Sequence, residues 1–224
     1  MIGRRRYATW EGVSDEDVLA SYARGEDPES AFAELVTRYE RRVYGICLRY
    51  FGNAADAEDA TQDAFLSIAR RADTFQGGSR LSTWIYRVAV NACNDLARKR
   101  ARRPQTPVAD VVRAVDAVEA RDDIGWDPGD PVLTAETASE VQRALLTLDD
   151  TSRSLLILVA LQGLSYNEAA AALDVPVGTA KSRVHRARAQ LADLLGASGA
   201  AGNQRGPDDL LPTDTPQGDS TRER

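Results

Sequence analysis

The side chains best equipped to do chemistry in this sequence are cations, and the densest group falls on one short segment. Between Val177 and Leu195 stand Lys181, Ser182, Arg183, His185, Arg186 and Arg188. Ammonium and guanidinium groups beside a hydroxyl and an imidazole are fitted to recognition rather than to bond making. They offer charge and N–H donors to phosphate oxygens and to base edges in a DNA groove. Catalytic chemistry finds little material. The chain has 1 His and 2 Cys, with no glycine-rich phosphate loop and no nucleophile spaced with a base and an acid. No metal, no cofactor and no small-molecule substrate is expected.

Two helices must hold those cations. Ser165 followed three residues later by Glu168 is a capping box, opening a helix over Tyr166–Leu173. Asp174-Val175-Pro176 turns the chain, and a second helix restarts between Pro176 and Thr179. Ala169 and Ala170 are small enough to let the helices cross closely. Val177, Ala180, Val184, Ala187, Leu191 and Leu194 recur every three or four residues and form the expected buried stripe. Ser182, His185 and Arg186 fall opposite it, with Lys181 and Arg188 to one side and Arg183 to the other. This is helix-turn-helix spacing, which places the start of the second helix in a major groove. Arg186 is expected to read a base edge, and Arg183 and Arg188 to contact phosphates.

The first half carries a second set. A helix capped by Ser14 ends at Gly25, and another begins at Asp27-Pro28 and runs to about Phe51. After Gly52-Asn53 comes a helix over about 54–73, burying Ala57, Ala60, Ala64, Phe65 and Ile68 while exposing Asp59, Gln62 and Asp63. Past the loop Thr74–Ser79, a fourth helix starts near Leu81. Leu81, Trp84, Ile85, Val88, Ala89, Ala92 and Leu96 form its apolar stripe. A polar stripe, Arg87, Asn91, Asn94 and Arg98, runs beside it into the basic run Arg98, Lys99, Arg100, Arg102 and Arg103. Tyr86 is expected to be exposed enough to touch DNA.

The whole chain is acidic, with 28 Lys+Arg against 34 Asp+Glu, but the distribution matters more than the sum. Residues 104–133 hold 2 bases and 7 acids among prolines and glycines, which reads as a flexible acidic linker. The expected fold is all-α: an arm over 1–13, a helical domain over 14–103, the linker over 104–133, a helix-turn-helix domain over 134–195 and a disordered tail over 196–224. Cys47 and Cys93 each lie in an apolar helical pattern and are expected to be buried thiols, not a disulfide. With no export signal and no apolar run long enough to span a bilayer, a cytoplasmic location is expected.

The segment AEDATQDAFLSIARRADTFQGGSRLSTWIYRVAVNACNDLARKRARR, followed by a linker and GTAKSRVHRARAQL, resembles an extracytoplasmic-function sigma factor of the sigma-70 family. The resemblance covers about residues 28–103 and 134–195. It implies core RNA polymerase as partner, through its β′ clamp and β subunit, together with promoter DNA and an anti-sigma factor. Asp59, Gln62, Asp63 and Phe65 match the D-x-x-Q-[DE]-x-F signature, which places Asp59, Gln62 and Asp63 against the β′ clamp. Asn91 matches the Asn that holds a flipped base of the −10 element, with Arg87, Asn94, Arg98, Lys99 and Arg100 around it. Lys181, Ser182, His185 and Arg186 match positions facing the −35 element, and His185 departs from the side chains that other members carry there. The resemblance also implies that the acidic linker runs toward the RNA exit path. The alternative reading of the second half is a stand-alone helix-turn-helix regulator. That would need a dimer on palindromic half-sites and would leave residues 28–103 without a role.

Overall fold

Ser14, Asn53, Asp149 and Ser165 each accept a hydrogen bond from a backbone N–H three residues on, and each opens a helix. In the computed structural model, residues 10–102 and 135–198 are described. The expected linker 104–133, Arg103 and most of the expected arm and tail lie outside them. Among the described residues every regular element is helical: α1 (Asp15–Ala23), α2 (Pro28–Phe51), α3 (Ala54–Arg71) and α4 (Leu81–Ala101), then α5 (Ala135–Leu146), α6 (Asp150–Leu156), α7 (Tyr166–Ala172) and α8 (Val177–Ser198). A 3-10 turn, Ala72–Thr74, follows α3. A π turn, Ile157–Leu161, follows α6, with the Gln162 N–H donating to Ile157 O.

The first four helices are built around α2 and α4. Along α2, Leu35, Tyr39, Val43, Ile46 and Tyr50 are fully buried at helical spacing, and this face packs against α1, α3 and α4. α4 is more enclosed than its single apolar stripe implies. Tyr86, Val90 and Cys93 form a second buried face, and Cys93 meets Cys47 of α2 with 3.6 Å between sulfurs. Both cysteines are buried free thiols. The contact with Cys47, followed by burial, pushes the Cys93 thiol well above its ordinary range. Tyr86 is therefore not the exposed residue expected from the sequence. It is 6% exposed, and its hydroxyl lies near Arg42 of α2. A wheel drawn on α4 alone has no knowledge of the neighbour covering that side.

The arm expected to be loose is tied down at its inner end. Trp10 is buried, with its Nε1 donating to Ser30 Oγ at 2.9 Å. Arg38 of α2 donates to Trp10 O, Val13 O and the Asp15 carboxylate, and the Tyr39 hydroxyl donates to the same carboxylate. The other expected limit also moves, because α8 continues through Gly196 to Ser198.

Burial opposes ionisation of Asp15, but the hydrogen bonds from Tyr39 and Arg38 outweigh it and hold the carboxyl below the ordinary carboxylate range. A depressed folded value adds stability above the unfolded value, 3.8 for Asp15, and that stability is lost as pH falls through the folded value. Asp15→Asn is expected to lower neutral-pH stability by at most about 1 kcal/mol, since the carboxylate keeps solvent contact. It should also flatten the acid limb of the stability curve. Urea midpoints from pH 7 down to pH 2 check this; parallel curves for the two proteins would contradict it.

Candidate nucleic-acid interface

Small side chains set the geometry of the helix-turn-helix. Ala169, Ala170 and Ala172 of α7 are buried, as are Ala180, Val184 and Ala187 of α8, so the two backbones approach with little between them. The capping box is complete: Ser165 Oγ accepts from the Glu168 N–H at 3.2 Å, and Glu168 Oε2 accepts from the Ser165 N–H at 2.9 Å. In the turn, Asp174 adopts φ of 54°, a left-handed conformation that Asp tolerates better than most residues. Val175 N–H then donates to Ala170 O and locks the turn. The buried stripe of α8 is shorter than its spacing implied. Val177 is exposed and Leu194 is 41% exposed, while Ala180, Val184 and Ala187 between them are buried.

On the outer side of α8, Lys181, Ser182, His185 and Arg186 are exposed, and Arg188 is half-buried. These residues share one face, as expected. Their local partners differ. Arg186 Nε donates back to Ser182 O at 3.3 Å, which leaves its two terminal nitrogens outside that bond. The Lys181 ammonium lies 5.9 Å from the centroid of the Tyr166 ring, a cation–π distance. Arg183 turns the other way, donating to Asp149 Oδ1 at 3.0 Å and Ser152 Oγ at 3.4 Å. It is pinned to the cap of α6 by a solvent-exposed pair, which holds it weakly.

The first domain places its candidates on α3 and α4. Asp59, Gln62 and Asp63 are exposed on one face of α3. Sequence reasoning missed a fourth member. Leu66 stands at i+7 from Asp59 on the same face and is 45% exposed, an apolar side chain of the kind that anchors protein interfaces. The signal was present in the spacing Asp59, Gln62, Asp63, Leu66.

On α4, Arg87 and Lys99 are exposed and Asn91 is half-buried. The basic run is less free than its composition implied. Arg98 pairs with Asp95, while Arg100 reaches back to α3 and pairs with Asp56 and Asp59. An acid expected to face the polymerase and a base expected to face DNA thus hold each other. Asn94 is also engaged. Its Oδ1 accepts from the Tyr50 hydroxyl at 2.9 Å and from Ser154 Oγ at 3.3 Å, so it faces the second domain rather than open solvent.

Comparisons with known proteins agree with this division. Residues 35–103 match the family model for sigma-70 region 2, and residues 138–191 match that for sigma-70 region 4. The chain is similar to the extracytoplasmic-function RNA polymerase sigma factor SigM of Mycobacterium tuberculosis, 37% identical over 183 residues, covering 82% of this chain and 85% of the relative. It is 34% identical to the sigma-E factor of Escherichia coli over 180 residues, covering 80% of this chain and 92% of the relative. Among solved structures it resembles the sigma factor RpoE crystallised with the anti-sigma factor NepR from Bartonella quintana. That likeness has a TM-score of 0.55 and 25% identity, and covers 75% of this chain and 98% of the other. Residues 28–103, which a stand-alone regulator would leave idle, lie largely within the first match, so that alternative falls away.

Proposed function

This chain belongs to the extracytoplasmic-function group of the sigma-70 family, and on that premise we propose how its two domains divide the work of promoter recognition. Region 2, on α1–α4, binds core RNA polymerase and the −10 element; region 4, on α5–α8, binds the −35 element. The protein catalyses nothing itself. It acts in the cytoplasm, and an anti-sigma protein restrains it. Among the described residues no helix is long and apolar enough to cross a membrane.

On region 2, Asp59, Gln62 and Asp63 present acceptors to the β′ clamp, with Leu66 as the apolar contact among them. Asn91 receives an unstacked base of the −10 element through edge hydrogen bonds. Arg87 and Lys99 steady the backbone; Arg98 joins them by exchanging its exposed partner Asp95 for a phosphate, a substitution of low cost, and Arg100 by leaving Asp59 and the mostly buried Asp56. On region 4, the face Lys181, Ser182, His185 and Arg186 enters the major groove of the −35 element. The element names differ by 25 positions, about 85 Å along a B-form duplex. The 30 residues of 104–133 reach about 100 Å fully extended, enough to join domains set that far apart.

The observation that carries this reading is the order of two matched regions on one chain, each with exposed candidates on a helix face. In vitro transcription with core polymerase over a genomic promoter library tests it, since initiation depends on every assigned contact and the selected promoters reveal both elements. A library that yields no initiation above core polymerase alone overturns it. So does tight, sequence-specific promoter binding by the free chain. Within this reading, alanines at Gln62 and Asp63 together are expected to weaken association with core polymerase about tenfold, or about 1.4 kcal/mol. Secondary structure should be unchanged because both side chains are exposed. Unaltered affinity in a pull-down titration would remove this face from the interface.

A further inference from the structure

α4 carries the polar stripe of region 2, yet it starts without a cap of its own. The first backbone N–H groups of a helix have no partner inside it, and Arg80, the residue before Leu81, makes no side-chain bond to them, since a guanidinium has no acceptor to offer. The acceptor comes from α1, 65 residues earlier in the chain: Glu16 Oε1 accepts from the Leu81 N–H at 3.2 Å. A carboxylate there also meets the positive end of the backbone dipole. Successive side chains on a helix stand about 100° apart. Asp15 therefore turns to α2, where it meets Arg38 and Tyr39, and Glu16 turns to α4.

The same helix braces the other end of the loop that leads into α4. α1 packs against the 3-10 turn Ala72–Thr74, and the Phe75 N–H donates to Ala72 O at 3.4 Å. Between these two supports, residues 76–80 are all exposed, so the loop has little packing of its own. Phe75 anchors it: its ring lies 5.8 Å from that of Trp84 at the end of the first turn of α4, and both side chains are half-buried. The Trp84 N–H donates to Arg80 O at 3.3 Å and so closes that first turn. Trp84, Arg87 and Asn91 follow one another at three and four residues, which puts them on one face of α4. The turn that Glu16 holds thus borders the face assigned to the −10 element.

Glu16 is poorly suited to touch nucleic acid itself, being an anion between Asp15 and Asp17 in the first turn of α1. It acts at one remove. We propose that Glu16 is a positioning residue for −10 recognition, capping α4 from across the chain and holding the Phe75–Trp84 pair in place beside Arg87 and Asn91. Without its acceptor the Leu81 N–H turns to water, the bond from Trp84 to Arg80 O loosens, and the ring pair that borders Asn91 loses its footing. The cap is presented from a held helix and not from a loose one. Arg38 fixes the start of α1 through Trp10 O, Val13 O and Asp15, so little ordering remains to be done when DNA arrives. The proposal rests on the assignment of Asn91 to an unstacked base, and adds to it the residue that keeps that site in shape.

The test uses the full chain assembled with core polymerase and three probes taken from the promoters that the library selects: a −10 single strand, the same bases scrambled, and a −35 duplex. Glu16→Ala is expected to weaken binding of the −10 strand about fivefold, as the loss of an ordinary cap does, while the −35 duplex and core polymerase bind as before. Glu16→Gln keeps an acceptor oxygen for Leu81 and should recover most of the loss. Hydrogen–deuterium exchange over residues 75–84 should rise for the alanine variant and return toward wild type for the glutamine variant. The side chain is exposed and both replacements suit a helix, so both variants should fold. Unchanged affinity of Glu16→Ala for the −10 strand overturns the proposal. So does a loss shared equally by the −10 strand, the −35 duplex and core polymerase, which is what general destabilisation gives. A glutamine variant as weak as the alanine variant overturns the cap. A fivefold loss with unchanged exchange overturns it as well, because Glu16 would then act directly and not through α4. Failure of the promoter-recognition reading looks different: the wild type itself would hold the −10 and scrambled strands alike, and the proposal would fall with it whatever the exchange showed.

Discussion

Arg153→Ala is expected to lower the unfolding free energy by about 3 kcal/mol, comparable to removing one partner of a buried ion pair. The side chain is 11% exposed, and four backbone carbonyls depend on it, those of Leu145, Leu146 and Leu148 in its own domain and that of Tyr50 in the first. A charged hydrogen bond contributes about 1.5–3 kcal/mol, so four counted separately would exceed the expected loss. They are not separate. Deleting the side chain also removes the cost of keeping a guanidinium out of water, and water can reach carbonyls at helix ends. The Tyr50 ring loses the cation that lies 5.1 Å from its centroid, and the Tyr50 hydroxyl, whose ionisation burial and then Asp150 push well above the ordinary range, stays a donor to Asn94. At about 2–4 °C per kcal/mol for a chain of this size, the melting temperature should fall by about 6–12 °C. Arg153→Lys keeps the charge but not the planar fork, and should recover less than half of the loss. A shift below about 2 °C for the alanine variant, read by thermal circular dichroism, would mean that the carbonyls find other partners.

What the sequence could reveal here follows the range of the interaction involved. Helix starts at Ser14, Asn53 and Ser165 were readable because a cap and the donor it satisfies lie three residues apart. The α3 core positions Ala57, Ala60, Ala64, Phe65 and Ile68 were readable because one face of that helix is covered and the other is not. α4 defeated the same method. With a second buried face through Tyr86, Val90 and Cys93, its periodicity blurs, and the proximity of Cys93 to Cys47 depends on a packing contact 46 residues away. Arg153 gave no signal at all, since its acceptors are backbone carbonyls, which every sequence has. Gly52 read as a helix stop, which its φ of 71° bears out, but its second role as a gap for Leu146, whose Cδ1 a Cβ there would meet at 2.8 Å, comes from the other domain.

The candidate surfaces show the same limit from the electrostatic side. Composition located the cations of α4 and α8; Asp95, three residues before Arg98, is a neighbour along the helix, while the acids that hold Arg100 and Arg183 were visible only in space. Arg100 is held by Asp56 and Asp59 from α3, and Arg183 by Asp149, which also caps α6. Burial opposes ionisation of Asp149, and hydrogen bonds from Ser152 followed by the charge of Arg183 outweigh it, keeping the carboxyl below its ordinary range. The pairs with Asp59 and Asp149 have exposed carboxylates and contribute little to stability, whereas Asp56 is only 14% exposed. A denser array of negative charge, such as a nucleic-acid backbone, can compete with such carboxylates for the same guanidinium groups.

That competition separates two arginines three residues apart on α8. Arg186→Ala is expected to cost about 1–3 kcal/mol on the −35 element, as the loss of a bidentate base contact does, and much less on random duplex. Its terminal nitrogens lie outside its one backbone bond to Ser182, and the side chain stands on the exposed face with Ser182 and His185. Specificity should therefore relax about tenfold or more while the salt dependence keeps its slope. Arg183→Ala should do the reverse. Arg183 sits to the side of that face, on Asp149 and Ser152, a position suited to exchanging a carboxylate for a phosphate. Its loss should weaken specific and random duplexes alike and reduce the slope of log K against log salt by about 0.9. Holoenzyme titrations of both duplexes at several salt concentrations resolve the two cases. Equal losses on both duplexes for Arg186→Ala would remove it from base recognition. An unchanged slope for Arg183→Ala would mean that its pair with Asp149 survives on DNA, making that arginine a support for the cap of α6 and not a phosphate contact.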